Sequence, residues 1–210
     1  CRRFINYLRG RGFHANASYL HWRYGLHYAV AGPFKGRVIL PVYEAGKLIS
    51  WTGRTIYKDE ELRYYSLTTD PAKATKMDLE PALDAINRHF LWHDWFADAA
   101  QHRNARAFVL VEGPLDALKI NVLGEPQIVS TCWMGSEPTD AQIELLHKLV
   151  RPFEHRYVIS DSEMTYKAKR IAGKLAALNF KAIELPAGVD DPAEIASYSQ
   201  LANILQGAQL

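Results

Sequence analysis

The sequence predicts an α/β fold in two parts: a parallel sheet with flanking helices over residues 106–210, preceded over 1–105 by a smaller, basic, mixed α+β subdomain. Three observations carry this. In the second half, short apolar segments alternate with longer helix-patterned ones, as strand–helix–strand units do when they stack into a parallel sheet. In the first half, two adjacent β-rich segments are joined by a turn too short for a helix, which requires an antiparallel pair. Charge is also unevenly shared, with 16 Lys and Arg against 10 Asp and Glu over 1–106, but 9 against 13 over 107–210. A basic part joined to an acidic part suits a protein that holds a polyanion with one and cations with the other.

The elements follow in order. A helix is expected over 1–9, ending at the turn-prone Gly10-Arg11-Gly12, and another over 17–24, where Tyr19, Leu20 and Trp22 supply apolar surface. GRVILPVY (36–43) and LISWTGRTI (48–56) read as strands joined by Glu44-Ala45-Gly46-Lys47, with 63–67 a third. From 81 to 100, Leu83, Ile86, Phe90, Trp95 and Phe96 recur at helical spacing. His89 and His93 lie i, i+4 on that stretch, where helix packing explains them better than metal ligation does. The polar run at 101–106 ends the first part. Strands then follow at 108–111, 127–131, 157–160 and 182–185. They are separated by helices at 114–123, opened by Pro114, at 139–150 and at 164–178, and a short helix follows Pro192.

The 210 residues suffice for two small cores. No apolar run approaches the roughly 18 residues of a membrane span, and no signal-peptide pattern is visible, so a cytoplasmic setting is expected. The chain begins at Cys1 without a methionine and reads as part of something longer. Cys1 and Cys132 are the only cysteines, which excludes a disulfide framework and a four-cysteine zinc site. Cys132 is expected to be buried and unreactive.

Three of the four strands in the second half run into carboxylates at their carboxyl ends, where open α/β sheets bind ligands. The first leads to Glu112-Gly113, with Asp116 in the following helical turn, where the helix dipole favours a negative charge. The third leads to Asp161-Ser162-Glu163, whose two acids point to one side of an extended chain. The fourth leads to a loop with Asp190 and Asp191, the latter an N-cap ahead of Pro192. Each acid alone reads equally as a helix cap or a solvated charge. Together in one crevice they would repel unless cations sat among them, and oxygen-only ligands suit Mg²⁺ or Mn²⁺ rather than zinc.

VEGPLDAL (111–118) resembles the first motif of the Toprim domain in its primase form. Asp161-Ser162-Glu163 is similar to its DxD motif, and LPAGVDDP (185–192) to the segment that follows in bacterial and phage DnaG-type primases. GSEPTDAQ (135–142) resembles the intervening Gly-x-x-x-Thr-x-x-Gln turn and helix start. The chain departs from the pattern at Glu163, longer by one methylene than Asp. It departs again at Thr165-Tyr166, where Ala-Gly is usual, and at Ala193, where an acid is common.

In the first half, GRVILPV (36–42), Trp51-Thr52-Gly53-Arg54 and Arg63-Tyr64-Tyr65-Ser66-Leu67 look like the N-terminal subdomain of the primase polymerase core. Tyr7–Gly12 matches more loosely. Read from the residues alone, Lys35, Arg37, Arg54 and Arg63 interleave with Trp51, Tyr64 and Tyr65 on or beside short strands. Cations there would track phosphates and aromatic faces would stack on bases; aromatics in strands also serve as core or cross-strand pairs.

The resemblance implies a metal-dependent nucleotidyltransferase that makes RNA primers from ribonucleoside triphosphates on a single-stranded DNA template. Glu112, Asp161 and Glu163 would be catalytic and, with Asp116 and Asp191, would hold the metal. Lys35, Arg37, Arg54, Arg63 and Tyr64 would bind nucleic acid or nucleotide. An upstream zinc-binding domain and a replicative helicase partner are implied outside the chain. Two other readings remain open, a Toprim nuclease using the same acids and a degenerate Toprim module that only binds nucleic acid.

Overall fold

Val38, Leu40 and Val42 alternate along one strand and are wholly buried. That apolar face anchors the first of two sheets in the computed structural model, which describes residues 2–101 and 105–206. The strands β1 (His27–Ala29), β2 (Arg37–Glu44), β3 (Lys47–Thr55) and β4 (Tyr64–Ser66) pair antiparallel in the order β1-β2-β3-β4. Helices α1 (Arg2–Gly10) and α2 (Ala17–Tyr24) bury Phe4 with Leu8 and Leu20 with Tyr24 respectively, and Phe4 stacks on Tyr28 of β1 at 4.8 Å. Phe34 adds a second apolar layer, stacked on Tyr65 at 5.0 Å and edge-on to Trp51 at 5.9 Å. Trp51 and Tyr65 are thereby drawn into packing.

The β2–β3 turn has positive φ at both central residues, 51° at Ala45 and 74° at Gly46. Glycine enters this region freely and alanine does not. The cost at Ala45 is offset from outside the hairpin, where the Asp94 carboxylate accepts from Ala45 N at 2.9 Å and Gly46 N at 2.7 Å.

The stretch 81–100 is not one helix. A 3₁₀ turn spans Ile86–Arg88, Trp92 takes φ 55°, and only α4 (His93–Gln101) is helical. The left-handed residue resets the chain direction, and Trp92 is held there by its Nε1 donating to Tyr24 O at 2.9 Å. His89 and His93 therefore share no helix face; His89 instead meets Asp84 at 3.1 Å. A further helix, α3 (Pro71–Lys76), starts where Asp70 accepts from Ala72 N and Pro71 sits at the first position.

The described residues separate into two compact units between Asp94 and Trp95, ahead of the polar run at 101–106. The aromatic end of α4 belongs to the second unit because Phe96 packs edge-on against Phe108 at 5.5 Å.

In the second unit β5 (Ala107–Val111), β6 (Ile128–Cys132), β7 (His155–Ile159) and β8 (Phe180–Ile183) form a parallel sheet in the order β6-β5-β7-β8. β5 and β6 are buried throughout, as strands covered on both faces must be. The connecting helices are α5 (Pro114–Gly124), α6 (Asp140–Leu149) and α7 (Thr165–Lys174), and α8 (Tyr198–Gln206) closes the unit. β6 is an edge strand, and the buried Asn121 amide covers part of that edge by accepting from Ser130 N and donating to Ser130 O. Arg156 gathers the carbonyls of Val150, Arg151 and Leu178. Cys132 is buried, and burial followed by the nearby charge of Asp116 holds its thiol well above the ordinary range.

Candidate active site

The chain leaves β5 toward β6 on one side of the sheet and returns to β7 on the other, so strand order reverses between β5 and β7. In open α/β sheets the carboxyl end of such a switch point is where ligands bind. Leu110 and Val158 are partners across these two strands. Two residues beyond Leu110 stands Glu112, half-buried, and three beyond Val158 stands Asp161.

The loop after β8 is tied to the same edge. Ser162 N donates to Asp190 O at 2.9 Å, and Ser162 Oγ donates to Asp190 Oδ1 at 3.1 Å. This zipper sets Asp191 beside Asp161. Burial first, then the charges of Asp191, Glu112 and Glu163, push the Asp161 carboxyl above its ordinary value, with Lys167 acting the other way. Asp191 keeps its expected cap, accepting from Ala193 N at 2.7 Å.

One expected detail differs. Ser162–Met164 form a 3₁₀ turn, with Met164 N donating to Asp161 O at 2.8 Å, so Asp161 and Glu163 do not share one side of an extended strand. Asp116 caps its own helix, its Oδ2 accepting from Gly113 N at 3.2 Å. A Cβ at Gly113 would lie 2.5 Å from that oxygen, so the glycine is required for the cap. The turn before α6 behaves as its sequence implies. Thr139 and Gln142 cap each other's backbone, and buried Gln142 also donates to Trp133 O at 3.1 Å, fixing the chain beyond β6.

In the first unit, Arg54 stands opposite Tyr64 on adjacent strands. Its guanidinium lies 4.8 Å over the Tyr64 ring, and its Nε donates to the Tyr7 hydroxyl at 3.3 Å. Burial opposes the Arg54 charge, but the Tyr64 and Tyr7 hydroxyls outweigh it and keep the guanidinium pKa above its ordinary value. Arg11, Arg54, Lys58 and Arg63 line a cavity of about 560 Å³ beside α1. Arg11 and Lys58 were not among the expected cations. Arg11 lies within the loosely matching Tyr7–Gly12 segment, whereas Lys58 follows β3 with no motif around it.

Lys35 is exposed on the loop before β2. Arg37, expected at the interface, is turned inward at 3% exposure. Its Nη1 donates to the carbonyls of Gly53, Leu62 and Arg63, and its Nη2 pairs with Glu60. β2–β3 pairing sets Arg37 opposite Thr55, whose hydroxyl donates to the same Glu60 carboxylate.

No family model matches the chain, and no curated protein sequence does. Solved structures do. The zinc-binding and RNA polymerase domains of the Aquifex aeolicus primase align over 99% of this chain with a TM-score of 0.73 at 19% identity, and this chain spans 56% of that one. A DnaG primase catalytic domain bound to single-stranded DNA aligns over 98% of this chain and 71% of its own, with a TM-score of 0.69 at 17% identity. The fold is that of the DnaG primase catalytic domain. The primase fragment of the bacteriophage T7 primase-helicase is also similar, with a TM-score of 0.55 at 12% identity over 80% of this chain and 62% of its own.

In this primase fold the acidic edge fits a hard divalent cation by donor type, since every candidate ligand is a carboxylate. The Asp161 carboxyl is raised first by burial and then by like charges, and a cation would relieve the second part. Among the described residues, however, no three His, Cys, Asp or Glu side chains are already gathered as a metal group. At the same edge, Lys167 Nζ sits 2.5 Å from Glu112 Oε2.

Proposed function

We propose that this chain is the catalytic core of a DNA primase, joining ribonucleotides into short primers on single-stranded DNA. The observation that carries the reading is the convergence of Glu112, Asp161 and Asp191 at the switch point of a sheet whose fold is that of primase catalytic domains. In the reaction a primer 3′-hydroxyl attacks the α-phosphate of the incoming nucleotide and pyrophosphate leaves. Glu112, Asp161 and Glu163, assisted by Asp191 and Asp116, would hold Mg²⁺ or Mn²⁺, which when bound supplies Lewis-acid stabilisation of the phosphate charge.

The chain's own residues do the rest. Asp116 and Gly113 fix the start of α5 and so the position of Glu112. The Ser162–Asp190 bonds hold two acidic loops together. Arg11, Arg54, Lys58 and Arg63 surround a cavity suited to phosphates, and Tyr64, with Arg54 over it, orients one of these cations. Lys35, exposed nearby in sequence, adds charge for the template.

Single-stranded DNA as template is supported by the similar DnaG domain solved with it. An upstream zinc-binding domain and a helicase partner are supported by the composition of the Aquifex and T7 proteins. Among the described residues no helix is long and apolar enough to cross a membrane, and we place the activity in the cytoplasm of a bacterium or a phage-infected cell.

The test is incorporation of labelled ribonucleotides without a primer on single-stranded templates, with Mg²⁺ or Mn²⁺. Wild-type chain should make short products. Glu112→Gln should make none, and it should fold but melt below the wild type, because it leaves the buried Lys167 ammonium without its carboxylate. Unchanged synthesis by a folded Glu112→Gln protein would overturn the assignment.

A further inference from the structure

Lys167 lies in the first turns of α7, immediately after the Asp161–Glu163 turn, and is 5% exposed. A buried ammonium is costly unless its charge is met. Here it is met by one carboxylate, Glu112, at 2.5 Å, and by the face of Trp133, whose ring centroid is 5.7 Å away. Trp133 is itself wholly buried, with its Nε1 donating to Gly135 O at 2.8 Å. The stem of Lys167 is therefore packed and its head aimed. Its charge also acts on Asp161 and Glu137. Lys169 and Lys174, by contrast, are exposed and pair with Glu184 and Glu137 at the surface.

We infer that Lys167 is a resident counter-cation of the acidic edge, holding Glu112 until a divalent cation displaces it. The inference rests on the proposed cation site. An ammonium within hydrogen-bonding distance of a carboxylate oxygen and a divalent cation bound to that oxygen repel one another, so loading the cation on Glu112 breaks the Lys167 pair. Cation binding is then weakened by the free energy of that pair. The chain keeps a stable fold with the edge unloaded, and binds the cation only where Asp161 and its neighbours add enough attraction to expel the ammonium.

Calorimetric titration of Mn²⁺ into the full 210-residue chain tests this without recourse to activity. Lys167→Met keeps the buried stem and removes the competing charge. It should bind Mn²⁺ at least tenfold more tightly than wild type, equivalent to about 1.4 kcal/mol. Lys167→Gln should do the same if the apolar end disturbs the fold, and Lys167→Arg should stay near wild type. Equal or weaker binding by folded Lys167→Met and Lys167→Gln, with binding abolished in Asp161→Asn, would overturn the role of Lys167 and leave the cation site standing. Absence of Mn²⁺ binding in wild type and in both variants would overturn the cation site, and this inference with it.

Discussion

Arg37→Met separates a cation that holds the fold from cations that meet nucleic acid. Methionine keeps most of the aliphatic stem but removes the guanidinium that gathers Gly53 O, Leu62 O, Arg63 O and Glu60. The Arg37 side chain is 4% exposed and that of Glu60 37%. Removing one partner of a buried pair costs about 3–5 kcal/mol. Glu60 keeps some water and the Thr55 hydroxyl, so the low end applies, about 3 kcal/mol. In a unit spanning residues 1–94, each kcal/mol moves Tm by about 4–8 °C, giving a fall of about 12 °C or more. Circular-dichroism melts of wild type, Arg37→Met, Glu60→Gln and the double variant measure it. The double variant should lose less than the two single losses combined, because no charge is left unpaired. A melt within about 4 °C of wild type, combined with weakened single-stranded DNA binding, would refute an inward, structural Arg37.

Three further outcomes are expected. Arg54→Ala should melt near wild type yet weaken single-stranded DNA binding. The salt dependence of affinity should become shallower by about 0.7 in log–log slope for the lost phosphate contact, and an unchanged slope in fluorescence anisotropy would remove Arg54 from the interface. Asp161→Asn should be more stable than wild type at neutral pH. The folded chain holds the Asp161 proton above the ordinary value of 3.8 while the unfolded chain releases it there, so wild-type stability falls as pH rises through that window. The advantage of Asp161→Asn should vanish below about pH 3.8 in denaturant melts, and a pH-independent difference would contradict a carboxyl raised by burial and its acidic neighbours. Glu163, with its longer and more flexible reach, should favour the larger Mn²⁺ over Mg²⁺ in primer synthesis. Glu163→Asp should narrow that preference, and equal wild-type rates with the two metals would rule the reasoning out.

Much of this molecule was readable along the chain because its signals are local. Buried runs such as Phe108–Val111, the Pro114 and Pro192 helix starts and the Thr139–Gln142 cap each depend on residues a few positions apart. That the second sheet is parallel, with acids following three of its strands, is legible in the strand–helix rhythm; the order β6-β5-β7-β8 is not. Where local pattern misled, a distant partner had overruled it. Helical spacing over 81–100 gave way to Trp92, fixed by the carbonyl of Tyr24, and Arg37 turned inward toward Glu60. Pairing between residues far apart also decided the site. The Ser162–Asp190 bonds bring Asp191 to Asp161, and α7 carries Lys167 back to Glu112 across 55 positions of sequence. Periodicity records which face of an element is buried; which charge meets which depends on how the elements pack, and only the folded chain specifies that.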